Sequence, residues 1–271
     1  MAVILGGSRD FPTFFLSKSQ TFVPPLDGNV CIHVIGGGGS GSGSQSSTNS
    51  TAAGGGGAGG YCRKNSLAVT TSSSFTVVVG AGHVPTTGNS AGGDGGNSTV
   101  AGTGLSATLT ANGGTGHPRN NTADSGTGGS ASNGDVNYTG GAGSHEKGGG
   151  AVGLTGTGNQ GFKPSGMDGL YFGGACDVIG DLWSSTLGQI AGSISGRGMY
   201  ASTSGSYDPS GADAGPLAGG GNVVISSGYT YASGGSATIG GGGGGCVYGP
   251  GNWGQLGGRG GDGIVIFQYI P

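Results

Sequence analysis

The sequence predicts an all-β protein: a small antiparallel β region, sandwich-like, carrying a bundle of polyglycine-II helices with long surface loops. Three observations lead there. Glycine supplies 73 of 271 residues, while only 8% are charged and 32% hydrophobic. Against that background stand short β-branched and aromatic segments, the composition that strands favour. Those segments also run straight into glycine. Val30-Cys31-Ile32-His33-Val34-Ile35 passes into Gly36-Gly37-Gly38-Gly39, and Gly257-Gly258-Arg259-Gly260-Gly261-Asp262-Gly263 passes into Ile264-Val265-Ile266-Phe267-Gln268-Tyr269.

Such a composition fits either a low-complexity disordered chain or a packed glycine structure. Disorder goes with high net charge, and the formal charge here is −3. Order needs a source of stability other than side chains, because glycine has none to bury and loses much backbone entropy. A polyproline-II-type helix has three residues per turn and turns its N–H and C=O groups outward. Glycine lets neighbouring helices approach until those groups pair. Collagen uses the same permission, but the chain as a whole lacks a strict Gly-X-Y period and has only 10 prolines. The absence of a basic patch argues against nucleic acid. No stretch reaches the ~18 apolar residues of a membrane span. The start, Met1 to Gly7, lacks the basic and long apolar regions of a signal peptide.

In chain order, residues 1–20 read as a leader with an apolar patch, Phe11, Phe14, Phe15 and Leu16. Two readings stand for it: simple core, or a docking tail led by Phe11, Phe14 and Phe15. Residues 21–271 form a single glycine-rich domain. Residues 21–23 predict an edge strand closed by Pro24 and Pro25, and residues 26–29 a turn before the strand 30–35. Residues 40–53 read as a solvated loop, and residues 54–60 as a glycine run returning to a strand. Residues 66–70 and 75–79 predict a hairpin around Thr71 to Ser74. A short strand pair is expected at 98–100 and 105–111. Residues 112–240 read as a loop-rich insertion. It holds an aromatic stretch with Phe162, Tyr171, Phe172, Trp183, Tyr200 and Tyr207, one or two helical turns at 181–190 capped by Asp181, and a hairpin around Ser227-Gly228. The longest glycine run, 240–245, leads into the compact loop Cys246-Val247-Tyr248-Gly249-Pro250-Gly251-Asn252-Trp253.

Motifs that suggest chemistry lack their context. Gly156 to Gly161 matches a dinucleotide fingerprint, but no strand–turn–helix unit surrounds it. Gly88-Asn89-Ser90-Ala91-Gly92 matches a nucleophile elbow with no helix after it. Residues 257–264 match one calcium-binding nonapeptide, a motif that works in tandem; here Asp262 is expected to cap the glycine run. Cys31, Cys62, Cys176 and Cys246 are too widely spaced for zinc, and Cys31 is expected to be a free, buried thiol. The four histidines are scattered. These features predict no metal, no cofactor and no enzyme. What remains is a set of connections rich in Tyr, Ser, Gly and Asn, the palette of recognition loops.

The segments 19–24, 30–39, 61–82 and 260–267 resemble the glycine-rich domains of bacteriophage tail-fibre and receptor-binding proteins. The glycine stretches are similar in kind to the polyglycine-II tip adhesins of T-even-like phages. That resemblance implies a virion protein at a tail fibre or tail tip. Its partners would be other tail or baseplate proteins and a host surface receptor, either an outer-membrane protein or a polysaccharide. A homotrimer is the assembly it implies, without membrane insertion. Counting run directions puts residues 40–53 and 246–256 at the end away from the strands, roughly 20 Å out at ~3.1 Å per residue. Tyr248, Asn252 and Trp253 are therefore the expected receptor contacts, joined by Tyr171, Phe172, Trp183, Tyr200 and Tyr207. Trp253 folding back over the bundle is the other reading. Two rival functions remain: a purely structural virion or surface protein, and an ice-binding polyglycine-II protein.

Overall fold

The computed structural model describes residues 11–43, 54–85, 90–118, 126–143, 170–172, 196–197, 199–201, 218–220, 237, 239–243 and 256–271. The described residues contain no helix, and the fold is all-β. Two five-stranded antiparallel sheets form a sandwich. The first takes β1 (Thr13–Leu16), β14 (Ile264–Ile270), β3 (Gly28–Ile35), β4 (Tyr61–Val69) and β9 (Val136–Tyr138), in that spatial order. The second takes β2 (Gln20–Phe22), β5 (Phe75–Val78), β6 (Ser98–Gly102), β7 (Leu109–Ala111) and β8 (Ala131–Ser132). Two short pairs stand apart from them by hydrogen bonding. One joins β10 (Leu170–Phe172) to β12 (Met199–Ala201), antiparallel; the other joins β11 (Gly196–Arg197) to β13 (Ala218–Gly220), parallel.

Alternating apolar residues build the sandwich core. Phe75, Val77, Val100 and Leu109 of the second sheet face Val30, Ile32, Val34, Leu67, Val265 and Phe267 of the first. Phe22 sits 4.4 Å from Phe267 between ring centroids, and Phe75 5.3 Å. Such ring pairs add to the area they bury.

The leader is settled in part by this core. Thr13–Leu16 is an edge strand registered on β14, with Phe14 opposite Phe267. Phe14 is buried and packs 5.4 Å from Phe22, so its ring takes the core reading and is not available for docking. Phe15 is half-buried, and Phe11 is 46% exposed. The expected hairpin of residues 66–70 and 75–79 does not form. Its first arm lies in β4 of the first sheet and its second in β5 of the other, so Thr70 to Ser74 arches between sheets. Both arms alternate apolar and polar residues, a pattern that fits a sandwich face as well as a hairpin. The expected turns at 181–190 and the hairpin around Ser227-Gly228 lie outside the described residues.

Apart from residues 240–243, each described glycine run adjoins a strand. The central one is residues 36–43, leaving β3. Its amides donate in a cycle of three: Gly36, Gly39 and Ser42 to Gly60, Gly57 and Gly54; Gly37, Ser40 and Gly43 to Gly96, Gly93 and Ser90; Gly38 and Gly41 to Gly261 and Gly258. Its carbonyls accept from three more runs, through Gly114, His83 and Gly243. This is the three-residue repeat that polyglycine-II packing requires, with six neighbours around one axis. The three runs it donates to return toward the sheets; the three it accepts from lead away. Residues 126–130 and 139–143 extend the lattice beside residues 54–60. Residues 40–43 are buried members of the central run and not solvated loop. The stretch 112–143 likewise contributes three lattice runs, β8 and β9, so the regular frame reaches well into the expected insertion.

A Cβ on Gly38 would lie 1.8 Å from the carbonyl oxygen of Gly241. Gly38→Ala must therefore push two runs apart and unmake their hydrogen bonds. We expect it to destabilise the protein by more than about 4 kcal/mol, while Ala91→Ser, on an exposed lattice position, stays within about 0.5 kcal/mol. Urea unfolding of both variants is the check; equal stabilities would overturn the packed-lattice account.

Candidate functional site

The lattice has two ends, and only one is covered by strands. At the other end the described parts of the outgoing runs extend to Gly43, Pro85, Pro118, Gly143 and Gly243, and those of the returning runs start at Gly54, Ser90, Gly126 and Leu256. Direct bonds tie these ends together. Ser42 N–H donates to Gly54 O (3.1 Å), Gly43 N–H to Ser90 O (2.9 Å), Gly41 N–H to Gly258 O (3.1 Å) and Gly92 N–H to His117 O (3.0 Å). The antiparallel relation expected for the last two runs holds over the described residues: Gly240 N–H donates to Asp262 O and Gly261 N–H to Gly241 O, both at 2.8 Å. The described residues that flank positions 44–53, 86–89 and 119–125 therefore lie at the end opposite the sandwich, whereas residues 70–74 and 103–108 join runs through the sandwich and Gly240 enters the lattice beside Gly59 and Asp262.

Two histidines reach into this end. Nδ1 of His83 is 2.8 Å from the Ser40 hydroxyl, and Nδ1 of His117 is 2.9 Å from the Ser42 hydroxyl. Both serines belong to the central run. The His117 ring, only 2% exposed, rests on Gly54, where a Cβ would come within 1.9 Å of it.

Side-chain oxygens take several amides of the outer runs. Gly116 N–H donates to Asp94 Oδ1 (2.8 Å), Gly113 N–H to Asn97 Oδ1 (2.9 Å), Gly82 N–H to Asp262 Oδ1 (2.8 Å) and Gly93 N–H to Ser40 Oγ (3.0 Å). Asp262, expected to bond amides of its own run, instead accepts from the Gly82 amide 180 residues away, and Arg259 holds it at 2.7 Å. The sequence reading missed Asp94 and Asn97. The signal is present in residues 92–97, where the order Gly92-Gly93-Asp94-Gly95-Gly96-Asn97 repeats Gly-Gly-X and exposes X once per turn.

Of the predicted contacts, Tyr248, Asn252, Trp253, Trp183 and Tyr207 lie outside the described residues. Tyr171 and Phe172 stand on β10 and Tyr200 on β12, where Tyr171 registers opposite Tyr200 and Phe172 opposite Met199. Sequence spacing gave no hint of that pairing.

A second polar group sits in the first sheet. The sulfur of Cys31 is 3.3 Å from His33 Nε2, and His33 Nδ1 is 2.8 Å from the Tyr61 hydroxyl. Burial pushes the Cys31 thiol up to about 11, and burial, aided by the Arg63 charge, pushes His33 down to about 4. An activated cysteine needs the opposite, a thiolate beside a protonated imidazole. The group acts as a buried, hydrogen-bonded packing element, and Cys31 and Cys62 are both free thiols. Among the described residues no three metal-ligating side chains cluster, and no helix is long and apolar enough to cross a membrane.

The His33 shift has a pH consequence. Its folded value lies below the ~6.5 of an unfolded histidine, so the unfolded chain binds the proton first. Stability is then flat above about pH 6.5 and falls as pH drops toward 4, by about 3 kcal/mol in total. Urea midpoints from pH 8 to 4.5 test this, and His33→Gln should flatten that part of the profile.

No curated protein matches the sequence. A family model does, and it spans almost the whole sandwich and lattice, from Leu16 in the edge strand β1 to Ile270 at the end of β14. On residues 16–270 the chain belongs to the family described as the glycine-rich domain.

Proposed function

We propose that the protein is a surface-recognition module of the phage tail-fibre-tip type, which presents its connections to a host cell surface. One observation supports this reading: the described run ends at residues 43 and 54, 85 and 90, and 118 and 126 gather at the end remote from the sandwich. A rigid scaffold that gathers its loops at one end is built to present them. The finer identity, a virion adhesin working with other tail or baseplate proteins, rests on the resemblance of segments 19–24, 30–39, 61–82 and 260–267. In this reading Tyr248, Asn252 and Trp253 supply rigid contact area for an outer-membrane protein or polysaccharide. Phe11, exposed next to Pro12, and the half-buried Phe15 are the remaining docking contacts of the leader.

The test is Tyr248→Ala combined with Trp253→Ala in the full chain. Aromatic anchors of this kind contribute about 2 kcal/mol or more, so binding to host cells should weaken at least ~30-fold with the melting temperature unchanged. Unchanged binding overturns the reading. A lowered melting temperature would return both rings to the core.

A second reading has its own observation. Residues 90–97, 112–118 and 126–130 lie in one row of the lattice and form a flat face. Asp94 and Asn97, Asn112 and Thr115, and Thr127 and Ser130 repeat along it every three residues, about 9 Å apart. Asn112 Nδ2 donates to Ser130 Oγ (2.9 Å), and the Thr115 and Thr127 hydroxyls are 3.1 Å apart, so the array is rigid. A flat, regular array of small polar groups is suited to ordered water, the ice-binding alternative. Freezing hysteresis that Thr127→Lys abolishes would support it; no hysteresis would set it aside.

A further inference from the structure

We propose that the outer face of the first sheet is a second apolar interface of this protein, and that residues 144–236 of the same chain dock on it as a third layer. The inference goes beyond recognition, and it stands whether or not the loops bind a receptor.

Alternation along the strands defines that face. Val30, Ile32 and Val34 of β3, and Val265 and Phe267 of β14, belong to the sandwich core. Cys31, His33, Ile35 and Ile266 lie between them in sequence and so stand on the opposite side of the sheet. Register joins them into one patch: Ile266 lies opposite His33, and Ile35 opposite Tyr61. Cys31 and Tyr61 both touch the His33 ring along it. The outer face of the second sheet is open to water, with Thr76 exposed and Val78 42% exposed. The outer face of the first sheet is closed. Cys31 is 8% exposed, His33 3%, Ile266 2%, Ile35 1% and Tyr61 0%. Neighbours within a sheet cover the flanks of a side chain and leave its tip, so exposures this low require a layer above the face. The second sheet packs on the other side and is not that layer.

Attachment and reach single out residues 144–236. Both ends of that stretch join runs that continue the first sheet. Residues 139–143 follow β9, its edge strand. At the other end Ala237 N–H donates to Arg259 O and Gly240 N–H to Asp262 O, in the run before β14; Gly240 O accepts from Gly59 N–H, in the run before β4. The connections 44–53 and 244–255 leave from the far end of the lattice. Residues 36–43 rise about 25 Å at ~3.1 Å per residue, so such a connection would need about 50 Å to reach the face and return. Even residues 244–255, fully extended, span only about 40 Å, and 86–89 and 119–125 are shorter still. Residues 144–236 have ample length, and their sequence offers apolar side chains for a core, among them Phe162, Leu182, Trp183 and Ile190. The described strands within the stretch, β10 with β12 and β11 with β13, hydrogen-bond to neither large sheet, as a separate layer would.

The experiment is NMR on the full chain with labelled isoleucine methyl groups. Nuclear Overhauser contacts are expected from the Ile35 and Ile266 methyls to side chains within 144–236. Contacts confined to residues 1–10 would give the face to the leader and overturn the proposal. Contacts seen only between differently labelled copies would give it to a second molecule, with the same result. So would an absence of contacts together with fast labelling of Cys31 by a thiol reagent in the folded protein. A full-chain variant supplies an independent reading. Ile266→Asn should lower amide protection at least ~10-fold within 144–236 and leave Val100 and Leu109 of the second sheet unchanged. Unchanged protection within 144–236 overturns the docking, and so does an equal loss in both regions, which would make the patch part of the main core. Should the variant not fold, the methyl contacts of the unaltered protein decide alone.

Discussion

The hydrogen bonds between glycine runs set the terms for everything else in this protein. A run in this geometry makes no bonds within itself, so all its backbone groups must be satisfied by neighbours. Residues 36–43 meet that requirement through six other runs at once. Each bond contributes only about 1 kcal/mol net, and each glycine ordered costs conformational entropy. The lattice therefore holds only if nearly every bond forms together. That explains why the central run is glycine and serine throughout and fully buried. A methyl group at most of these positions would strike a neighbouring carbonyl.

A lattice of bare backbone carries little information about which run lies beside which. The sandwich supplies it. Side chains of alternating polarity pin the register of each strand, and β3 to β9 and β14 each adjoin one run. Ile264 is fixed opposite Ile35 by the packing of β14 on β3; three residues beyond, Gly261 accepts from Gly38. The aromatic cluster of Phe22, Phe75 and Phe267 is therefore what aligns the glycine runs above it. Side chains return at the lattice edge, where Asp94, Asn97 and Asp262 take the amides that no further run can reach.

This division of labour suits a protein whose variable part is its connections. The sandwich and the inner lattice tolerate little change, whereas a connection between two run ends only has to span them. The described run ends are held by the bonds at Gly43, Gly54, Ser90 and Gly92. On the proposed recognition role, a surface so mounted would change sequence without disturbing the frame.

The sequence by itself determined the fold class and most of the frame. Strand segments such as 30–35 and 264–269 were legible because β-branched and aromatic residues contrast sharply with glycine. The direction of each run was legible because runs and strands are contiguous. Several features were decided only by tertiary structure. Residues 66–70 and 75–79 carry the same alternation whether they pair with each other or face each other across a core, so the arch between sheets could not be read. Phe14 looks alike as a docking ring and as a core ring until β1 is placed against β14. Asp262 caps an amide far away in the chain, and the two serine–histidine pairs join residues that no local pattern connects. The physical reason is common to all of them. Periodicity reports which way a residue faces, but the partner it meets there is chosen by the lattice and the sandwich together.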